Sequence, residues 1–247
     1  MTATPAAPPT TLALFDLDHT LIPFDSGLAW TRFLVARGVL SADDESRYLD
    51  FCHQYVAGTL DIHAMHRAGL RPLLGVPRAT LAQWLRGFER EMAAFLPPLA
   101  LALVRRHRDA GHLCAIVTAT ERLIAEPFAR LFGVEHLVAT RSATVDGSPD
   151  GAFTGEIDGE ACFRAHKVSR VNAWLTALSS GNASGMSSGT SSGTATGLAG
   201  FQTTWFYSDS ISDLPLLEAV SQPVAVRPDD RLRAHAVSVG WPVIELD

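Results

Sequence analysis

The sequence predicts an α/β fold: a parallel sheet with helices on both faces, plus an inserted all-helical domain. Three observations carry this expectation. From Leu99 onward, apolar runs alternate with amphipathic helical stretches, the pattern of a parallel sheet wound with helices. Residues 24–96 show helical spacing throughout and no strand signal. The chain also repeats one local arrangement at its two ends, an apolar run that finishes in paired acids, at TLALFDLDHT (11–20) and TTWFYSDSISD (203–213).

Residues 1–10 are rich in Pro, Ala and Thr and read as a disordered tail. The run Leu12, Ala13, Leu14, Phe15 is short, apolar and bounded by polar residues, as in a strand buried on both faces. The helical block over 24–96 follows, with Ser41 and the acids after it as a helix start and Pro77 in a first turn. Pro97 and Pro98 close the block. LALVRRHRDAG is the next helix, HLCAIVTAT a second buried strand, and ERLIAEPFARLFGV a helix that Pro127 must kink or delay. LVATRSATVDGSPDGAFTGEI reads as an extended hairpin. CFRAHKVSRVNAWLTAL forms another helix, and two short strands with a helix between them finish the chain. Residues 179–200 are nearly all Ser, Gly, Thr and Ala and read as a flexible insertion; they hold no phosphate-loop signature. The core is thus expected over 11–23 and 97–247.

Composition narrows the partners. With 47% apolar and 19% charged residues the chain is of ordinary globular type. A net charge of -6 without Lys/Arg runs offers nothing to nucleic acid. No window approaches the roughly 18 to 20 apolar residues of a membrane span, and the first residues lack a signal's basic and apolar regions. Three scattered cysteines, Cys52, Cys114 and Cys162, fit reduced thiols. A cytoplasmic location is expected.

Asp16 and Asp18 stand at the C-terminal end of the first strand, where open α/β sheets bind ligands. Carboxylates placed there are costly unless they are paired or hold a cation, and magnesium suits an oxygen-only site that keeps waters and a phosphate. Other strand ends and helix starts add Thr118 with Thr120, Lys167, and Asp209 with Asp213. Each has a plain explanation as a turn, a cap or a solvated lysine. Together they provide carboxylates for a cation, donors for phosphate oxygens and a positive charge, the requirements of phosphoryl transfer.

These residues resemble the four motifs of the haloacid dehalogenase superfamily: DLDHT at 16–20, the strand ending at Thr118, Lys167 at a helix start and SDSISD at 208–213. The helical insertion is similar to the cap of the branch (subfamily IB) that holds the phosphoserine phosphatases and similar histidinol-phosphate phosphatases. The resemblance implies a Rossmann-like core and a magnesium-dependent phosphatase. Asp16 is then the nucleophile and Asp18 the general acid and base. Asp16, Asp18 (through its carbonyl) and Asp209 are the implied metal ligands, with Asp213 behind them. Thr118, Ala119 and Lys167 are the implied phosphate binders. There are two departures: Ala119 and Thr120 stand where the branch has glycines, which bears on substrate, and Ser208 and Ser210 flank Asp209 where glycine is usual, small residues that keep the metal site.

The expected substrate is a small phosphorylated metabolite. Asp25 lies nine residues after Asp16, at the offset of the branch's amine-binding glutamate, and serves equally as a helix cap. Arg67 or Arg71 would meet a substrate carboxylate. Phosphoserine and an amino-alcohol phosphate such as histidinol phosphate both fit. A phosphotransferase using the same covalent intermediate and a non-catalytic phospho-ligand binder are the alternatives.

Overall fold

The computed structural model describes residues 9–183 and 197–246. Its first strand, β1 (Thr11–Phe15), lies in the middle of a six-stranded sheet, and Leu12 to Phe15 are completely buried. β2 (Leu113–Glu121) pairs on one side and β6 (Thr203–Ser208) on the other, so Phe15 faces Ile116 and Tyr207 across the ladder. β3 (His136–Thr140), β7 (Gln222–Val226) and β8 (Val243–Ile244) complete the order β3-β2-β1-β6-β7-β8, and every pairing is parallel.

Strand side chains alternate between the two faces. Ala13, Phe15, Ile116 and Tyr207 pack on α5 (Pro98–Asp109) and α6 (Arg122–Phe132). Leu12, Leu14, Ala115 and Phe206 pack on α7 (His166–Ala183), α8 (Leu214–Ala219) and α9 (Asp230–Val239). Between β1 and α5 lies the helical cap, α1 (Ser26–Val35), α2 (Ala42–Ala57), α3 (Ile62–Leu70) and α4 (Arg78–Met92). Ser41 caps α2 in a full capping box with Asp44. The cap shares the core's apolar layer: Trp30 and Phe33 meet Phe88 of α4, which sits edge-on against Phe128 of α6, 5.7 Å between ring centres.

Several local expectations change. The stretch 137–157 is not one hairpin: its first part belongs to β3, a parallel edge strand, and the antiparallel hairpin is only β4 (Ser142–Thr144) with β5 (Phe153–Ile157). Turn chemistry at 146–151 marks the hairpin tip, whereas the HLVAT run reads the same for either pairing. Pro127 lies inside α6, which starts at Arg122 without delay. Pro77 precedes α4 as its cap residue. α7 starts at His166, after a left-handed Arg164 (φ 53°). Of residues 179–200, those to Ala183 continue α7 and Leu198–Gly200 form a 3-10 turn into β6; the remainder of that segment, like residues 1–8 of the expected tail, lies outside the described residues. Among the described residues no helix is long and apolar enough to cross a membrane.

A buried polar chain under the sheet makes stability sensitive to acid. His107 of α5 is 3% exposed; its Nε2 meets the Tyr207 hydroxyl at 2.8 Å and its Nδ1 meets His112 Nδ1 at 2.9 Å. Burial, with His112 and Arg106 adding repulsion, pushes its pKa from 6.5 down to about 4. The unfolded chain therefore takes a proton below pH 6.5 that the folded one refuses until about pH 4, so this contribution is full above 6.5 and lost on the way down. Between pH 7 and 5 the loss is expected to be about 2 kcal/mol. Urea unfolding of the wild type and of His107→Phe at the two pH values checks it as a difference. Equal pH slopes in the two proteins would sink the assignment.

Candidate active site

Three neighbouring strands end at one place on the sheet's C-terminal edge, and each delivers polar groups there. β1 runs into Asp16, whose N–H still donates to the Tyr207 carbonyl at 2.9 Å. β6 runs into Asp209, and β2 into Thr118, Ala119, Thr120 and Glu121. The first turn of α7 adds Lys167. Asp16, Asp18, Asp25, Thr118, Ala119, Lys167, Asp209 and Asp213 all line a single pocket roofed by the cap.

Lys167 is 3% exposed and bridges two carboxylates, donating to Asp16 Oδ1 at 2.8 Å and Asp213 Oδ2 at 2.7 Å. Burial opposes its charge, but the two acids outweigh burial and hold its pKa well above the usual lysine value. Ser208 Oγ also donates to Asp213 Oδ2, leaving Asp213 Oδ1 buried without a partner. Burial raises Asp16 and Asp209 too; Lys167 pulls Asp16 back while Asp213 and Asp209 push it up, and Asp209 stands at about 7. The floor of the pocket is thus a crowd of acids with one buried cation.

Asp18 does not continue the strand. The Leu17 carbonyl accepts from the amides of Thr20, Leu21 and Ile22, closing a tight turn in which His19 is left-handed (φ 56°). The turn is pinned by the Arg227 guanidinium, which donates to the carbonyls of His19 and Thr20, and by Thr20 Oγ1, which donates to Asp209 Oδ1 at 2.9 Å. Asp18 Oδ1 accepts the Ser26 amide at 2.7 Å and Oδ2 accepts the Thr120 hydroxyl at 2.5 Å. The residue that departs from the glycine pattern therefore orients the second aspartate.

The cap closes the pocket with a mostly apolar wall, in which His66 Nε2 is buried without a partner among the described residues. On α3 and the turn after it, Ile62, Met65, His66, Gly69, Leu70 and Leu73 recur at helical spacing and face inward. That phase carries Arg67 to the other side, where it pairs with Glu156 of β5 at 3.3 Å, and leaves Arg71 exposed. Neither arginine lines the pocket, so the expected carboxylate contact is corrected. Asp25 holds both of its expected places: it caps α1 through the Leu28 amide at 2.7 Å and lines the pocket. Burial and the Asp18 charge push it up to about 7.

Residues that sequence reasoning missed come from α2 and from the end of β2. Tyr48 donates to Asp25 Oδ1 at 3.1 Å, a position open only because Gly27 has no Cβ to collide with the phenol. Tyr55 reaches the core, donating to Ser210 Oγ at 3.1 Å, 2.7 Å from Ser212 Oγ. Tyr48, Phe51 and Tyr55 at i, i+3 and i+7 are the available signal, one face of one helix. Glu121 had none beyond its place after a strand ending in hydroxyls.

Comparison with known proteins gives the family and the fold. The family model of the haloacid dehalogenase-like hydrolases matches residues 13–187. The chain belongs to this family. This haloacid dehalogenase-like hydrolase is 36% identical over 235 residues to a protein of Neisseria meningitidis serogroup C named histidinol-phosphatase, covering 94% of this chain and 97% of that one. A crystal structure from Bordetella pertussis Tohama I, of unknown function, superposes with a TM-score of 0.82 at 39% identity, over 97% of this chain and all of the other. A substrate-bound phosphoserine phosphatase shares the fold, with a TM-score of 0.57 at 14% identity over 93% and 91% of the two chains. The chain is an enzyme, a hydrolase of the phosphatase type.

Proposed function

We propose that this hydrolase is a magnesium-dependent phosphatase for a small phosphate ester whose alcohol carries an amine but no carboxylate, the histidinol phosphate class. One observation carries the choice: among the described residues, the pocket holds buried Asp25 without a basic partner, and Lys167 on its floor is its one lysine or arginine. An ammonium entering there would gain a charge-assisted hydrogen bond to Asp25. A carboxylate, as in phosphoserine, would meet acids and a wall whose His66 is held toward its uncharged form by burial, at the cost of a buried charge without a cation to pair it. The name of the Neisseria relative agrees with this choice.

The donor set fits magnesium. Asp16, Asp209 and the Asp18 carbonyl would hold it, with Asp213 behind them. Among the described residues Asp213 Oδ1 is buried without a partner beside these carboxylates, an acceptor that a cation held there would face. Among the described residues no three His, Cys, Asp or Glu form a ready cage. When bound, the ion neutralises charge on the phosphoryl oxygens.

The chain's own groups divide the work in two displacements. An Asp16 carboxylate oxygen attacks phosphorus, and the bond to the alcohol oxygen breaks as Asp18, in its acid form, gives that oxygen a proton. Asp18, now a carboxylate, then takes a proton from water as the water oxygen attacks the phosphorus of the aspartyl phosphate. Inorganic phosphate leaves, and both aspartates are restored. Thr120 and the Ser26 amide aim Asp18, while Thr118 and Lys167 hold the phosphoryl oxygens.

Turnover of histidinol phosphate, phosphoserine, phosphoethanolamine and p-nitrophenyl phosphate, with magnesium and with EDTA, tests the reading. EDTA is expected to abolish activity. kcat/KM for histidinol phosphate is expected to exceed that for phosphoserine by at least about tenfold, the worth of one charged contact. A preference for phosphoserine would reject it.

A further inference from the structure

Glu121 is a buried acid for which the chemistry above has no use. It ends β2, and its side chain caps α6 by accepting the Leu123 amide at 2.5 Å, while the other oxygen accepts Ser142 Oγ at 2.7 Å. Capping alone is a weak reason for a glutamate here, because short Ser, Thr, Asp and Asn are the usual caps and a capping carboxylate is content in water. This one lines the pocket beside Leu123, Ile124 and Leu70. Burial pushes its pKa up to about 7 against the hydrogen bonds from Ser142, Leu123 and Ile124, and the nearby charge of Glu126 has the same sign.

The carboxyl is fixed by the Ser142 hydroxyl and by the Leu123 and Ile124 amides and cannot turn away, yet three donors still leave a lone-pair site open. It is also distinct from Asp25. The charge neighbour of Asp25 is Asp18, and that of Glu121 is Glu126. The Ser26 and Thr120 hydroxyls, 3.2 Å apart, set the chain segments that carry the two acids side by side, and both acids line the pocket.

We infer that Glu121 forms a second recognition subsite, one that accepts a hydrogen bond from an N–H-bearing heteroaromatic ring laid against Leu70, Leu123 and Ile124. The inference rests on the amine reading of Asp25 and deepens it: the substrate carries two separate nitrogen donors, an aliphatic ammonium for Asp25 and a ring N–H for Glu121. An aliphatic amino phosphate fills only the first subsite. The polar Glu121 then leaves its ring partner absent, which a site built for that donor penalises.

Two measurements test it. The unmodified enzyme with magnesium is expected to prefer histidinol phosphate to phosphoethanolamine by at least about tenfold in kcat/KM, mostly through KM. In Glu121→Gln, whose amide oxygen can keep the Leu123 cap while its NH2 donates to the Ser142 hydroxyl in place of the lost acceptor, that preference is expected to collapse to within about threefold, the larger loss falling on histidinol phosphate. Equal losses for both substrates would make Glu121 a structural cap and overturn the inference. So would a wild-type enzyme that treats the two alike while favouring both over p-nitrophenyl phosphate, a result that leaves the Asp25 reading standing. If neither amine exceeds p-nitrophenyl phosphate, both readings fall together.

Discussion

Asp16→Asn is expected to lower kcat by at least about 10⁴-fold, a barrier increase of roughly 5 to 6 kcal/mol, while the protein remains folded. The amide matches the carboxylate in shape and keeps an oxygen for Lys167 Nζ, now 2.8 Å from Asp16 Oδ1. It lacks the electron pair that forms the bond to phosphorus. Stability is expected to stay within about 1 kcal/mol of wild type or to rise, because Asp209 and Asp213 repel the charge that is removed. Single-turnover assays at saturating magnesium, read beside urea unfolding, separate the two quantities. Retention of more than about 1% of wild-type kcat would place the nucleophile elsewhere. A variant with neither activity nor fold would make Asp16 chiefly structural.

The parts of this site that were legible in the sequence are those that a strand end supplies by itself. Asp16, Thr118 and Asp209 each follow an apolar run, and in a parallel sheet all such ends lie on one edge. No knowledge of packing is needed to gather them. Lys167 and Asp213 were legible for a similar reason, as first-turn residues of elements that start at that edge. The cap was legible as helices but not in phase. Choosing between Arg67 and Arg71 required knowing that His66 and Leu70 turn inward, and a single step of about 100° around α3 sends Arg67 to Glu156 instead. Tyr48 and Glu121 depend on contacts between elements distant in sequence, the gap at Gly27 and the Ser142 hydroxyl of the hairpin. The spacing of Tyr48, Phe51 and Tyr55 marks a shared helix face, but no local pattern encodes what that face or Glu121 meets. β3 was misread because an edge strand beside a strong turn signal has the same residue pattern whether its neighbour is parallel or antiparallel.

Lys167→Met is expected to lower stability by about 3 to 5 kcal/mol, as well as to remove activity, and the stability loss is the more informative half. Methionine fills the space of the lysine stem, so packing against Phe206, whose ring centre lies 5.7 Å from Nζ, is largely kept. What goes is the one Lys or Arg charge that, among the described residues, lines the pocket with Asp16, Asp213 and Asp209, two of which it touches at 2.8 and 2.7 Å. Both partners are nearly sealed from water, so the cost is that of leaving carboxylates unpaired in a poorly polar interior. The double variant Lys167→Met with Asp213→Asn distinguishes this from simple loss of contacts. If unpaired charge is the cause, the second substitution removes one of the stranded acids and is expected to recover about 1 to 3 kcal/mol, although it deletes a further native residue. If lost packing is the cause, the double variant is less stable than the single one. Added magnesium offers an independent check, since a cation bound by Asp16 and Asp209 would stabilise Lys167→Met more than wild type by replacing part of the missing charge. No such difference would mean that Lys167 and the metal neutralise separate parts of the acidic floor.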